Sequence, residues 1–171
     1  MDQDTKTIED KLRLENKAKA GAHWFYWIAG LSVLNTINML NGSRSRFSTG
    51  LWMARLIHAY GFKAGAGAHS MALAELFLAG LFVVFGVYAA KRRTSAFIAG
   101  GLCYVCDLGA LFLFASNNII GIVIHVLALV SIYKGLEATR KLLEMDASLS
   151  GVPTMAGTGP ILNQKIEDVL K

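Results

Sequence analysis

Apolar residues in this chain gather into long runs and do not recur at every second or fourth position. Mostly apolar stretches of about 20 residues, the length a helix needs to cross a bilayer core, cover 22–40, 70–90, 95–115 and 119–137. They predict four transmembrane helices. A fifth stretch, 47–62, is shorter and carries Arg55 and His58 near its middle, where a charge costs about 3 kcal/mol on insertion. Its apolar residues Trp52, Met53, Leu56, Ile57 and Tyr60 fall at helical spacing, with Thr49, Arg55 and His58 on the other side. That pattern predicts an interfacial amphipathic helix. The expected fold is therefore all-α: a polytopic membrane protein with four transmembrane helices in a bundle plus one surface helix.

The same pattern divides the chain into an N-terminal tail, 1–21, a transmembrane domain, 22–141, and a C-terminal tail, 142–171. Within the domain, 41–69 forms the loop that holds the surface helix. Gly151, Pro153, Gly157, Gly159 and Pro160 mark a flexible linker. Ile161, Ile166, Val169 and Leu170 beyond it read as a frayed end. A secretory signal is not expected, because the leader before Ala22 is long and charged and no small-x-small cleavage site follows Leu40.

Composition strengthens the membrane reading. Of 171 residues 54% are hydrophobic and 17% charged, whereas soluble domains run at roughly 45–50% and about 25%. Charge then orients the spans. Thirteen of the 17 Lys and Arg residues fall in the N-terminal tail, in the tight loop Lys91-Arg92-Arg93 and from Lys134 to the C-terminus, against Arg44, Arg46, Arg55 and Lys63 in 41–69. Cytoplasmic loops carry the excess of Lys and Arg, so both termini are expected in the cytoplasm and 41–69 outside. If 47–62 crossed as well, Lys91-Arg92-Arg93 would land on the wrong side. The net charge of +5 is spread too thinly for a nucleic-acid surface.

Ionisable residues inside spans are costly and usually face the bundle interior. Away from the span ends there are three: Glu75, Asp107 and His125. Together with Asn35 they put one polar group in every span at a common depth, roughly 8–12 Å from the outer boundary at about 1.5 Å per residue. Small residues share their faces: Ala72, Ala79 and Gly86 with Glu75; Ala96, Gly100, Cys103 and Ala110 with Asp107; Gly121, Ala128 and Gly135 with His125. Such stripes let helices approach closely. Larger side chains, among them Phe82, Val83, Leu111, Phe112 and Leu127, are expected on other faces.

Two readings of this layer stay open. In the first, Asn35, Glu75, Asp107 and His125 hydrogen-bond to one another and fix helix register. In the second, carboxyls and imidazole handle protons or ions, with Arg55 and His58 contributing from the outer face. A metal site built from His125, Glu75 and Asp107 with His58 or His69 is weakly signalled, since no helix carries two ligands at chelating spacing. No metal or other cofactor is expected.

Cys103-Tyr104-Val105-Cys106 formally matches the Cys-x-x-Cys pattern, but these are the only two cysteines and lie within a span, so they read as small buried thiols. Gly61 to Gly67 reads as a hinge, and Trp24-Phe25-Tyr26-Trp27 as an aromatic belt at the cytoplasmic interface. No P-loop, Gly-x-Ser-x-Gly or His-Glu-x-x-His template occurs.

The run Trp24 to Ser32, with Tyr104-x-x-Asp107 in the third span and His125-x-x-Ala128-Leu129 in the fourth, resembles small four-span membrane proteins of bacteria over about residues 21–141. The resemblance implies an inner-membrane location and supplies no activity. The expectation is a non-enzymatic interaction or scaffold subunit, embedded in the lipid bilayer and working as a homo-oligomer or with another membrane protein. The alternative is a small proton- or ion-linked transporter or channel subunit using Asp107, Glu75 and His125.

Overall fold

A computed structural model describes residues 3–41, 51–65, 67–115 and 119–149. Among them every regular element is an α-helix: α1 (Gln3–Leu40), α2 (Trp52–Lys63), α3 (Ala68–Ala90), α4 (Thr94–Ala115) and α5 (Ile119–Leu149). The apolar segments His69–Ala90, Thr94–Leu113 and Ile119–Ser148 are long and apolar enough to cross a membrane. The second half of α1, diluted by His23, Asn35 and Asn38, is not one of these three.

α1, α3, α4 and α5 pack as an up-down-up-down bundle in which α1 and α4 each lie against both α3 and α5. The tightest turn shows how sequence fixes this. Arg92 N–H donates to the Ala89 carbonyl at 2.9 Å and Arg93 N–H to the Tyr88 carbonyl at 3.1 Å. That pair of bonds is a Schellman cap, which reverses the chain at once into α4. The cap needs a left-handed residue, and Arg92 supplies it at φ 60° where glycine is usual.

Glycines set the closest helix approach. A Cβ on Gly21 would stand 2.6 Å from Gly135 Cα, and one on Gly135 2.8 Å from Gly21 Cα, so α1 and α5 touch backbone to backbone there. Gly100 makes room for the Phe25 ring and Gly86 for the Tyr26 ring. The middle of the bundle is filled by aromatic rings: Phe25 has Phe82, Phe85 and Phe97 at centroid distances of 6.3, 6.2 and 6.0 Å. Phe82 also meets Tyr104 edge-on at 6.1 Å.

Three expectations are corrected here. Phe25 is fully buried and belongs to this core, while Trp27 of the same run faces outward. Phe82 and Leu111 are buried too, although Val83, Phe112 and Leu127 do face outward. Four helices at bundle spacing leave a central volume that alanine and glycine cannot fill, so large residues must enter it. Cys103 and Cys106 are exposed. Tyr104 holds the buried position because the step from Gly100 along the seam is four residues, not three.

α1 and α5 run on past the bundle as an antiparallel pair, with no break at residue 21 or at 141. Leu142 and Ala18 are buried between them beside Ala138 and Leu14. Asp146 binds Lys11 at 2.7 Å and Arg92 at 3.0 Å, and Arg92 also binds Glu15 at 2.6 Å. The guanidinium thus ties the α3–α4 turn to both long helices. This separates strain from pairing in a test. The left-handed backbone costs a non-glycine residue roughly 1–2 kcal/mol, while half-exposed ion pairs contribute about 0–1 kcal/mol each. Thermal unfolding in detergent should therefore rank Arg92→Gly close to the parent and Arg92→Ala about 1 kcal/mol below Arg92→Gly. Equal losses in the two variants would mean that the cap geometry carries no strain.

α2 packs against α3 and α4. It runs over 52–63 where 47–62 was predicted, and 42–50 lie outside the described residues. The hinge lies between α2 and α3, with Gly65 at φ 75°. The first turn of α2 enters the bundle, which a helix lying flat on its outer surface does not do. Leu51 is 3% exposed within the aromatic core, and the polar contacts described next hold it there.

Candidate functional site

The buried polar side chains gather around that first turn. Ser32 and Asp107 each stand eight residues before the C-terminal end of their helix, about 12 Å along the axis. Between them sits the start of α2. Leu51 N–H donates to Ser32 Oγ at 3.3 Å, and Met53 N–H donates to Asp107 Oδ1 at 2.7 Å. The first N–H groups of any helix lack intrahelical acceptors, and a carboxylate there also meets the positive end of the helix dipole. In an apolar interior an unpaired N–H costs several kcal/mol, so Asp107 is what allows α2 to begin inside the bundle.

Asp107 reaches α5 with its other oxygen. His125 Nε2 lies 2.9 Å from Asp107 Oδ2, and His125 Nδ1 lies 2.7 Å from the Gly121 carbonyl. Both side chains are 1% exposed. A carbonyl only accepts, so Nδ1 carries a hydrogen. Oδ1 accepts from Met53, which leaves a single proton to be shared between Oδ2 and Nε2. The pair is either carboxylate with imidazolium or carboxylic acid with imidazole, and the same heavy-atom positions serve both. Tyr104, one turn before Asp107, stacks on the imidazole with centroids 4.7 Å apart and planes 4° from parallel.

On the other side, Thr36 Oγ1 donates to Glu75 Oε2 at 2.8 Å and lies 3.0 Å from the Ser32 carbonyl. Ser32 Oγ in turn donates to the Ile28 carbonyl at 2.8 Å. Glu75 is 3% exposed and Thr36 2%. The two halves, Asp107 with His125 and Glu75 with Thr36, are joined through Ser32 and the backbone from Leu51 to Met53.

The predicted layer is thus brought together in part. Glu75, Asp107 and His125 are all buried and face the interior. Asn35 is half-buried; its neighbour Thr36 meets Glu75, and Ser32 meets the backbone at the start of α2. Arg55 and His58 lie on α2 one to two turns past Leu51, and their side chains are outside the described residues. Ser32 and Thr36 could have been found by phase: with Ile28 and Ala29 they continue the stripe that Phe25 begins. Tyr104 follows from Gly100 and Asp107 in the same way. The role of Leu51 and Met53 left no sequence signal, since it is their backbone N–H groups that act.

Among the described residues no group of three or more His, Cys, Asp and Glu side chains has a metal-holding arrangement. No protein-family model, curated protein or solved structure matches the chain.

Proposed function

We propose that the protein is a four-span subunit of the bacterial inner membrane, with an interaction or scaffold role, whose polar network seats α2 in the outer half of the bundle. Four spans are supported by the packing of α1. Residues 22–40 lie antiparallel to α3 and α5 along their length, so they share the depth of two helices that are apolar enough to cross. Ser32 and Thr36 then need no lipid exposure, because both are buried against α2 and α3. The distribution of Lys and Arg supports cytoplasmic termini.

The observation that carries a mainly structural role is the set of directed contacts at Asp107. One oxygen holds the start of α2, the other holds His125, and His125 is anchored to its own helix. Each contact fixes one helix relative to another, as interhelical polar bonds do in membranes. The absence of a catalytic template in the sequence suits a protein that presents surfaces to other membrane proteins or to its own copies.

Topology is tested by reporter fusions. A fusion after residue 66 should report the outer side and a C-terminal fusion the cytoplasm; the same side for both ends the four-span reading. The Asp107–His125 proton favours one second reading, a proton-linked transporter or channel subunit that also uses Glu75. Purified protein in vesicles discriminates the two. No proton or cation flux above that of empty vesicles is expected, and flux abolished by Asp107→Asn would replace the structural role with the transport one.

A further inference from the structure

We infer that the groove between α4 and α5, in the cytoplasmic half of the bundle, holds one acyl chain of an anionic phospholipid whose phosphate is read by Arg93 and Arg140. The groove has a volume of about 330 Å³. Its floor is Phe97, Gly101 and Ile132, and its outer walls include Leu102 and Tyr133, which are 62% and 65% exposed. A Cβ on Gly101 would rest 3.7 Å from Ile132 Cγ2. Glycine thus keeps the groove open, and a larger residue there would fill it.

The same contact fixes the headgroup end. α4 runs outward from the Lys91 turn and α5 runs back, so positions equally far from Gly101 and from Ile132 on the cytoplasmic side stand level. Eight residues on, about 12 Å along the axis, are Arg93 and Arg140. The packing of Phe97 on Gly135 gives the same register, since four further residues lead to Arg93 and to Thr139. Tyr133, Leu136 and Arg140 share one face of α5 at spacings of three and four. The groove therefore runs straight toward the second guanidinium.

Both arginines are exposed, and neither pairs with a carboxylate among the described residues. Their neighbour Arg92 is taken by Glu15 and Asp146, and Glu137, three residues before Arg140, is taken by Lys141 at 2.7 Å. Glu144, one turn after Arg140, makes no ion pair with it either.

The two ends of the groove identify what covers it. One end is apolar at the depth of lipid tails, and the other presents two planar guanidinium groups of the kind that bind phosphate through paired donors. Basic pockets between spans at the cytoplasmic leaflet take anionic headgroups in this way. The amphipathic Tyr133 ring suits the boundary between tail and headgroup. A second copy fits the charge less well. A two-fold axis along the membrane normal would set the arginines of both copies against each other at one level, and like charges so placed oppose association. The inference rests on the proposed four-span topology for the leaflet that supplies the lipid.

Native mass spectrometry of the full chain in detergent, given phosphatidylglycerol and phosphatidylcholine with the same acyl chains, tests it. One phosphatidylglycerol should be retained in preference to phosphatidylcholine by roughly thirtyfold, the joint pull of two cations at a membrane surface. Arg93→Gln with Arg140→Gln should bring the ratio close to unity and leave phosphatidylcholine binding unchanged. Gly101→Leu should weaken both lipids several-fold by filling the groove. Lys6→Gln with Lys19→Gln, an equal loss of charge on α1 away from the groove, should keep the preference of the parent. Equal retention of the two lipids by the parent would overturn the inference. So would a loss in the Lys6 and Lys19 variant as large as in the arginine variant, which would mark a diffuse surface attraction. Efficient disulfide cross-linking of two chains through Leu102→Cys, in a background where Cys103 and Cys106 are serine, would seat a second copy in the groove and overturn it as well. Reporter fusions judge the four-span reading by themselves, and lipid retention in detergent does not depend on orientation, so either can fail alone.

Discussion

Asp107→Leu should lower the stability of the bundle by about 3–5 kcal/mol, the range seen when one member of a buried charged pair is removed. Asp107→Asn should stay within about 1 kcal/mol of the parent. The contrast follows from the contacts, because leucine fills the space but offers no acceptor. It leaves Met53 N–H and His125 Nε2 without the partners they have at 2.7 and 2.9 Å. Asparagine offers both: its Oδ1 accepts from Met53, and its Nδ2 donates to an imidazole whose other nitrogen still donates to Gly121. Unfolding in mixed micelles, with abundance in native membranes as an independent measure, reads the difference. If both variants lose the same stability, the carboxyl acts through its charge alone and the hydrogen-bond assignment is wrong.

The second large effect lies at the crossing of α1 and α5. Gly21→Ala places a methyl group 2.6 Å from Gly135 Cα and 2.9 Å from the Ser131 carbonyl oxygen, and both neighbours are backbone. Neither can swing aside as a flexible side chain can. The helices must separate, at a cost of about 1–3 kcal/mol, and the separation also loosens the pocket where Phe97 packs on Gly135. Gly30→Ala in the same helix is the control. A Cβ there meets nothing within 4 Å, so stability should be unchanged or slightly raised by the better helix propensity of alanine. Thermal unfolding of the two variants side by side removes any general effect of glycine replacement in α1. Equal destabilisation by both would argue that the backbone contact of α1 and α5 contributes nothing.

How far the molecule could be read beforehand depended on which physical signal each part carries. Helices crossing apolar surroundings announce themselves by length, and α3, α4 and α5 coincide with predicted spans to within a few residues at most ends. Glu75, Asp107 and His125 stood out because a charge in an apolar run has few reasons to be there. Asn35 stood out by its polarity, whereas the buried Ser32 and Thr36 of the same helix did not. Their burial follows from helical phase, which polarity alone does not register.

The aromatic core was misplaced for a related reason. A rule that small residues mark the interior holds where two helices touch, as at Gly21 and Gly135, but not where four helices enclose a common space. Phe25, Phe82, Phe97 and Tyr104 fill that space. The re-entry of α2 was the least accessible feature. It depends on two backbone amides finding acceptors on Ser32 and Asp107, 19 and 54 residues away in sequence, and an amphipathic pattern is the same whether a helix lies on a surface or leans into one.

The parallel stack of Tyr104 on His125 sets what the proton pair can be used for. Exchanging the two imidazole nitrogens requires the ring to turn over about its Cβ–Cγ bond, sweeping its edge through the plane that the phenol ring occupies. Gly121 holding one nitrogen and Tyr104 covering one face both oppose that rotation. The Gly121 carbonyl is no base that could take the Nδ1 hydrogen, so a proton taken up at Nε2 leaves by the same atom. The ring is therefore a store with one door and not a turnstile, and it exchanges its proton through the contact with Asp107.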